Sequence, residues 1–150
     1  MIRRIVISVA LLLGGCAGVI VETPSGFVDL DANGRFDRRA VTADGVVFAV
    51  RRIDNDPRAP LSFWTDVVRD RLVGAGGYAL TEERPLRAAS GEEGRQLRLG
   101  RAENGHAYVY WVTLFTSGDH LLLVEAGGRR DRFEAVADEV ARSIDAVHFD

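Results

Sequence analysis

The chain has 150 residues and is 47% apolar, so it is long enough and apolar enough to bury a core, which excludes a disordered chain. Its 22 acidic residues outnumber its 19 basic residues, all of them arginine, and this balance lacks the electrostatic signature of a nucleic-acid-binding protein. With a single cysteine, the chain cannot form an internal disulfide or a metal site built from several thiolates.

The first fifteen residues have the pattern of a secretory signal peptide. Arg3 and Arg4 form a basic start, and an apolar run over residues 5–13 follows. This run is too short for a transmembrane helix, which needs about 20 apolar residues. We therefore predict a signal peptide over residues 1–15.

The end of this segment resembles the bacterial lipobox, in which small residues precede a cysteine that receives lipid. The matching residues are Leu13, Gly14, Gly15 and Cys16. The resemblance implies cleavage before Cys16 and acylation with chains such as palmitate, and several such chains anchor a protein stably. Ala17 stands where an Asp tends to mark inner-membrane retention, so the resemblance favours the periplasmic face of the outer membrane. The alternatives are an ordinary signal peptide with an incidental cysteine and an uncleaved apolar anchor.

The rest of the chain is predicted to be one domain on a short tether. Residues 16–26 comprise the lipidated cysteine and an extended tether that contains Pro24 and Gly26. Residues 27–150 show no internal repeat and no low-complexity tract, and their length suits a single globular α+β domain.

The first half of this domain is predicted to contain three strands and a helix. Two short strands, 27–30 and 35–42, flank a turn with Asn33-Gly34, a strong hairpin signal. Residues 46–50 are apolar on both faces, as in a strand that is covered on both sides. A helix is predicted over residues 61–73, since apolar residues recur there at helical spacing. These residues are Leu61, Trp64, Val68 and Leu72.

The second half is predicted to be a series of hairpins followed by a helix. Strands are expected at 78–82, 86–89, 95–99, 106–116 and 121–124, with turns at glycines between most of them. Asp131 and Glu134 are spaced as a capping box at the start of one terminal helix. Its apolar stripe comprises Phe133, Val136, Val140, Ile144 and Val147.

Hairpins imply antiparallel pairing, so the predicted class is α+β, with an antiparallel sheet of about six strands flanked by two main helices. The order of elements resembles that of bacterial envelope lipoproteins with a PsbP-like, or DcrB-like, domain. The similarity covers residues 26–149 and rests on Phe63-Trp64 with its helix, the run 121–128, and the terminal helix with Phe133 and Ile144. It implies an α/β/α sandwich and a non-enzymatic accessory or assembly role through protein binding.

The aromatic residues of the longest predicted strand are the first candidate site. Tyr108 and Tyr110 share one face of that strand, and Tyr and Trp dominate the hot spots of interfaces. We therefore expect partner binding, if it uses aromatic anchors, to involve Trp64, Tyr108 and Tyr110. The alternative is that these rings only pack in the core.

Other patterns are weaker. Arg129 and Arg130 precede the terminal helix and are candidates for anion binding, and the alternative is a plain strand-to-helix loop. The turn 29–37 resembles the first part of a calcium loop, but Ala40 stands where the bidentate Glu is expected. His106, His120 and His148 have no metal-ligand spacing and are expected to be solvated. No metal, cofactor or catalytic residue is predicted.

Two hypotheses for function follow. The first is a non-enzymatic envelope lipoprotein that is anchored in the membrane through Cys16 and binds an unidentified envelope protein. The second is a domain that binds a small ligand or anion, or an enzyme with its site in a cleft of the sheet. A flat aromatic patch would favour the first hypothesis. A deep pocket lined by Arg98, Arg101 or His106, with a buried carboxylate, would favour the second.

Overall fold

The structure is a computed structural model that describes residues 18–31 and 33–150. The predicted signal peptide and the lipobox residues Leu13, Gly14, Gly15 and Cys16 lie outside these ranges. Within the ranges, none of the helices combines the length and apolar character needed to cross a bilayer.

The described residues form nine strands, arranged in one large sheet and one small one. They are β1 (Val19–Ile20), β2 (Val28–Leu30), β3 (Arg38–Val41), β4 (Val47–Asp54), β5 (Ala79–Arg87), β6 (Glu93–Glu103), β7 (His106–Ser117), β8 (His120–Arg129) and β9 (His148–Phe149). The seven-stranded sheet has the order β2-β3-β4-β8-β7-β6-β5 and every neighbouring pair is antiparallel. The α+β class is confirmed, with seven strands in the main sheet where about six were expected.

The helices lie on opposite faces of the main sheet. They are α1 (Leu61–Asp70), α2 (Arg130–Glu134) and α3 (Ala137–Asp145), and α1 continues into a π-helical turn, Arg71–Ala75. Because side chains alternate along a strand, Trp111 and Phe115 of β7 lie on the face under α2 and α3. Val112 and Leu114 of the same strand lie on the face under α1. Both faces of β7 are therefore covered, whereas β4, which was expected to be covered on both sides, is covered only in part on its α1 face.

The predicted apolar side of α1 packs on the sheet as expected. Leu61, Trp64, Val68 and Leu72 all contact the cluster formed by β6, β7 and β8. At the end of the π-helical turn, a side chain on Gly76 would lie 2.6 Å from the Leu72 carbonyl oxygen. Glycine is therefore required where the chain turns back towards β5.

The terminal helix differs from the prediction. It is divided into α2 and α3, with Ala135 and Val136 between them. The first helical residue is Arg130, and the capping residue, Arg129, makes no side-chain capping bond. The predicted capping box of Asp131 and Glu134 is therefore wrong, because the helix begins one residue before the proposed cap.

Two other segments also differ. Residues 78–82 and 86–89 were expected to be separate strands, but β5 runs through Pro85, with a register shift between Leu80 and Glu82. Pro85 is tolerated because β5 is an edge strand with one side unpaired. Residues 16–26 are expected to comprise the lipidated cysteine and a short tether, but in the described part of this range β1 pairs with β9 and Val21 is buried in the core. The described body of the domain therefore begins at Gly18.

Candidate functional site: a groove beside the first helix

A groove lies on the sheet face that α1 covers only in part. The helix packs on β6 and β7, so the α1 face of β4 and part of β8 remain open. Two cavities, of about 370 and 390 Å³, occupy this opening, and both are lined by Tyr110 and Glu125. Because the cavities share these two residues, we treat them as one groove and call it the α1 groove.

The first half of the α1 groove lies directly against the helix. Its floor is apolar and is formed by Val112, Leu114, Leu121 and Leu123. One wall is the side of α1 and its π-helical turn, and the other comes from β4 and the loop before β3. The wall residues are Trp64, Val67, Val68, Arg71 and Leu72 on one side and Arg35, Arg51 and Ile53 on the other.

The second half lies beyond Tyr110 and is more aromatic. Its lining includes Phe36, Tyr78 and Tyr108 together with Val47 of β4 and Arg101 of β6. The rings of Tyr78 and Tyr110 are 5.4 Å apart between centroids. The guanidinium of Arg101 lies 4.8 Å from the centre of the Tyr78 ring, within cation–π range.

A polar network lies at the junction of the two halves. Arg51 donates through Nη2 to Glu125 Oε1 at 3.2 Å, and its Nε lies 2.9 Å from Oε2 without the alignment of a hydrogen bond. The Tyr110 hydroxyl donates to the same Oε1. Burial raises the pKa of Tyr110 well above its usual range, and the negative charge of Glu125 raises it further. The groove thus contains a buried carboxylate held by one cation and one neutral phenol.

Arginines surround one aromatic ring at the outer wall. The guanidinium carbons of Arg35 and Arg39 lie 5.6 and 5.4 Å from the centre of the Phe36 ring. The guanidinium of Arg51 lies at 6.0 Å from the same centre. Arg39 is opposite Ala49 in the β3–β4 pairing, and Ala49 lines the groove. Phe36 thereby keeps several positive charges at the mouth of the groove.

The position of Trp64 is held by a hydrogen-bonded side chain below it. The indole Nε1 donates to Asn55 Oδ1 at 2.7 Å, and Asn55 is buried. The Asn55 amide nitrogen donates to the Ala59 carbonyl at 3.2 Å. The loop before α1 therefore orients the aromatic residue that begins the groove wall.

The three aromatic residues predicted for partner binding all line the α1 groove. Trp64 lies in its first half, Tyr108 in its second, and Tyr110 contacts both. All three are half-buried, so they form a recessed surface and not a flat exposed patch. Of the residues proposed for a ligand pocket, Arg101 lines the groove. Arg98 instead stacks on Trp111 on the opposite face, 4.0 Å from the ring centre, and His106 is exposed at the start of β7.

The two arginines predicted to bind anions are arranged differently. Arg129 Nε lies 3.4 Å from Asp131 Oδ1, so this guanidinium already has a carboxylate nearby. Helix α2, which Arg130 begins, has five residues, and this is too short to provide a strong N-terminal anion site. Anion binding by Arg129 and Arg130 stays a prediction.

The other candidate ligands are dispersed. Asp29 accepts a hydrogen bond from the Thr23 hydroxyl at 2.6 Å, and Asp37 accepts one from the Arg52 backbone at 2.6 Å. His106, His120 and His148 are all exposed, as expected. Within residues 18–31 and 33–150, no three His, Cys, Asp or Glu side chains are grouped to hold a metal ion.

Sequence reasoning missed the charged residues of the groove. Glu125 interrupts the apolar run 121–126, and Arg51 directly follows the apolar run 46–50. A charge inside a strand that is otherwise covered on both faces must find a partner, because an isolated buried charge is costly. This signal could have singled out both residues, but their sequence separation of 74 positions gave no indication that they pair.

No family model matches this sequence, and a comparison with curated proteins finds no match. Solved structures are similar in fold. LpqN of Mycobacterium tuberculosis, which is involved in cell envelope biogenesis, matches with a TM-score of 0.72 and 14% identity, over 91% of this chain and 85% of that one. The Ran-binding protein Mog1p of Saccharomyces cerevisiae matches with a TM-score of 0.61 and 13% identity, over 91% and 92%.

CyanoP, the cyanobacterial PsbP of Synechocystis, matches with a TM-score of 0.54 and 14% identity, over 94% of this chain and 96% of that one. At these identities the likeness establishes the fold alone. The chain has the α+β fold that PsbP-like and Mog1-like proteins share.

Proposed function

We propose that this chain is a non-enzymatic accessory protein of the bacterial cell envelope that binds a segment of a partner protein in the α1 groove. The observation that carries the proposal is the groove itself. It combines an apolar floor with five half-buried aromatic rings, and such rings supply much of the energy of protein interfaces. The similarity to a Ran-binding protein and to an envelope biogenesis protein supports the same class of function.

The proposal includes the lipid anchor on Cys16. Only Ala17 separates that cysteine from Gly18, so an anchored domain would stand within about 10 Å of its lipid, at about 3.5 Å per residue. Strand β1 and its partner β9 pack on the α2–α3 face, whereas the groove is on the α1 face. In this arrangement the groove remains open to a partner while the opposite face carries the anchor.

A substitution that fills the groove tests partner binding. Val47→Trp places a large ring in the second cavity, and Ile20→Trp adds a similar ring to a half-exposed position on β1. The intact lipoprotein and each variant are recovered from solubilised membranes of the native bacterium, and the co-purifying proteins are identified by mass spectrometry.

We expect wild type and Ile20→Trp to recover the same envelope protein and Val47→Trp to lose it. Recovery that Val47→Trp leaves unchanged would contradict binding in the groove. Recovery of metabolites without any protein would contradict the accessory role.

One observation favours a second function, the binding of a small ligand. Each cavity lies within the range of about 300–1,000 Å³ typical of small-molecule sites. The second cavity is also lined by Arg101 and the buried carboxylate of Glu125, the combination predicted for a ligand pocket. Native mass spectrometry of the purified protein distinguishes the two functions, because a retained small molecule would appear as an added mass that Val47→Trp removes.

A further inference from the structure

The charges around the α1 groove are not balanced. Most described arginines have a carboxylate oxygen within the 4.0 Å limit of an ion pair, including Arg51 and Arg101 in the groove itself. Among the described residues, five arginines have no such carboxylate. Arg35, Arg39 and Arg71 border the groove, whereas Arg84 and Arg130 lie away from it. Three of the five unpaired arginines therefore lie together at the groove, which gives this surface a local excess of positive charge in a chain with more acidic than basic residues.

These three guanidinium groups lie at the mouth of the groove. Arg35 and Arg39 stack near the Phe36 ring, at 5.6 and 5.4 Å, which limits where their side chains can go. Arg71 faces them from the opposite wall, at the start of the π-helical turn. Arg51 lies deeper, and its charge is already balanced by Glu125. Positive charge that is not already paired thus lies at the rim of the groove and not on its floor.

The shape of the groove limits the kind of occupant. Its two cavities lie in series and meet at Tyr110 and Glu125, so a molecule that fills both must be extended. An extended peptide sends alternate side chains in opposite directions, so one set can reach an apolar floor while the other stays at the rim. This alternation matches the apolar floor and the arginine rim of the groove. The floor residues are Val112, Leu114, Leu121 and Leu123.

We propose that the α1 groove binds an extended, acidic segment of a partner protein, with apolar side chains on its floor and carboxylates paired to Arg35, Arg39 and Arg71. This inference rests on the proposed function and narrows it to one chemical class of partner. The net negative charge of the rest of the chain disfavours an acidic partner elsewhere, so the rim also selects where that partner binds.

Synthetic octapeptides test the charge preference. Three peptides alternate leucine with glutamate, glutamine or lysine, and each carries a tetramethylrhodamine label. Binding to the full chain in zwitterionic nanodiscs is followed by fluorescence polarisation, with empty nanodiscs as the blank. We expect the glutamate peptide to bind at least about tenfold more tightly than the glutamine peptide, and the lysine peptide to bind most weakly. This preference should shrink between about 50 and 500 mM NaCl, because salt screens exposed charges.

Neutralising the rim tests which arginines are responsible. The triple variant Arg35→Gln, Arg39→Gln, Arg71→Gln should lose the glutamate preference and keep the weak binding of the glutamine peptide. A matched triple variant, Arg58→Gln, Arg84→Gln, Arg142→Gln, changes the net charge equally at positions that do not line the groove. It should bind the glutamate peptide within about twofold of wild type, since exposed charges far from the groove contribute little to the affinity.

The proposal is overturned if the glutamate peptide binds no better than the glutamine peptide, or if the two triple variants behave alike. It is also overturned if decanoate binds in calorimetry while none of the peptides does, because the groove then takes a small amphipathic acid. Its failure is distinct from failure of the proposed function. If Val47→Trp abolishes partner capture while charge has no effect, the groove binds a partner of another chemistry.

Discussion

At the scale of single residues, the contact that organises the groove is the one between Tyr110 and Glu125. Glu125 lies in a strand whose neighbours are apolar, and it is buried with Arg51 and Tyr110 as its partners. A buried ion pair does not in itself stabilise a fold, because desolvation offsets the attraction between its charges. The effect of this network is to place polar side chains at the junction of the two cavities, where the surrounding strand pattern would otherwise place leucines.

The raised pKa of Tyr110 predicts a loss of stability in alkaline solution. The main cause is burial, and Glu125 adds to it. An unfolded tyrosine ionises at about pH 10, so above that pH the unfolded chain releases a proton that the folded chain keeps. Stability should therefore fall as pH rises, by up to about 1.4 kcal/mol per pH unit.

Urea unfolding of wild type, Tyr110→Phe and Tyr108→Phe at pH 8 and pH 11 measures this contribution. Tyr110→Phe should lose about 1 kcal/mol less than wild type between the two pH values, because it has no phenol to ionise. Tyr108→Phe, on the same face of β7 but outside the ion-pair network, should lose as much as wild type. Equal losses in all three proteins would contradict the role of burial at Tyr110.

At the scale of elements, strand β6 shows how closely the sheet and its core side chains fit. Gly94 is directly opposite Phe115 in the β6–β7 pair, and the Phe115 ring is fully buried. A methyl group on Gly94 would lie 2.5 Å from Phe115 Cε1, whereas one on Gly100, in the same strand, would have its nearest neighbours at 3.7 Å. The Phe115 ring therefore lies over Gly94, whereas Gly100 has room for a methyl group.

Gly94→Ala and Gly100→Ala form a matched pair in β6. Gly94→Ala should lower the free energy of unfolding by about 1–3 kcal/mol, because the Phe115 ring must leave its packed position. Gly100→Ala should change it by less than about 0.5 kcal/mol, or raise it slightly through the lower entropy of the unfolded chain. Chemical denaturation measures both values, and a similar cost for the two variants would contradict this account of the packing.

At the scale of the whole molecule, the two faces of the sheet differ in how completely they are covered. The α2–α3 face holds the larger part of the core and receives the β1–β9 pair. The α1 face is covered over β6 and β7 and open over β4, and this incomplete cover creates the groove. A single helix over one side of a seven-stranded sheet cannot cover its full width, since a helix with its side chains is about 10 Å wide and strands are about 4.8 Å apart.

The proposed anchor predicts where the whole protein is found. Cys16→Ser removes the sulfur that would receive lipid, so the chain should be released from membranes or remain unprocessed. Fractionation of cells and mass analysis of the purified protein measure both outcomes. Wild type should carry the mass of its acyl chains on a chain that begins at Cys16. Unchanged processing and unchanged membrane association in the variant would refute acylation.

Features that depend on local pattern could be predicted from the amino-acid sequence. Helix α1 and its buried side follow from the spacing of Leu61, Trp64 and Val68, and the hairpin between β6 and β7 follows from Asn104-Gly105, where both residues have positive φ. The alternation along β7 likewise predicted which aromatic residues share a face. Each of these signals lies within a few residues of chain, where helix and strand periods are directly visible.

The groove, the divided terminal helix and the β1–β9 pair became apparent in the folded chain and not in the sequence pattern. The groove and the β1–β9 pair depend on residues that are distant in sequence, as with Arg51 and Glu125, or Val19 and Phe149. The pattern of α1 specifies which of its sides is buried but not which strands lie beneath it. That choice is made when the strands take their order in the sheet, and it determines which side chains the helix leaves uncovered.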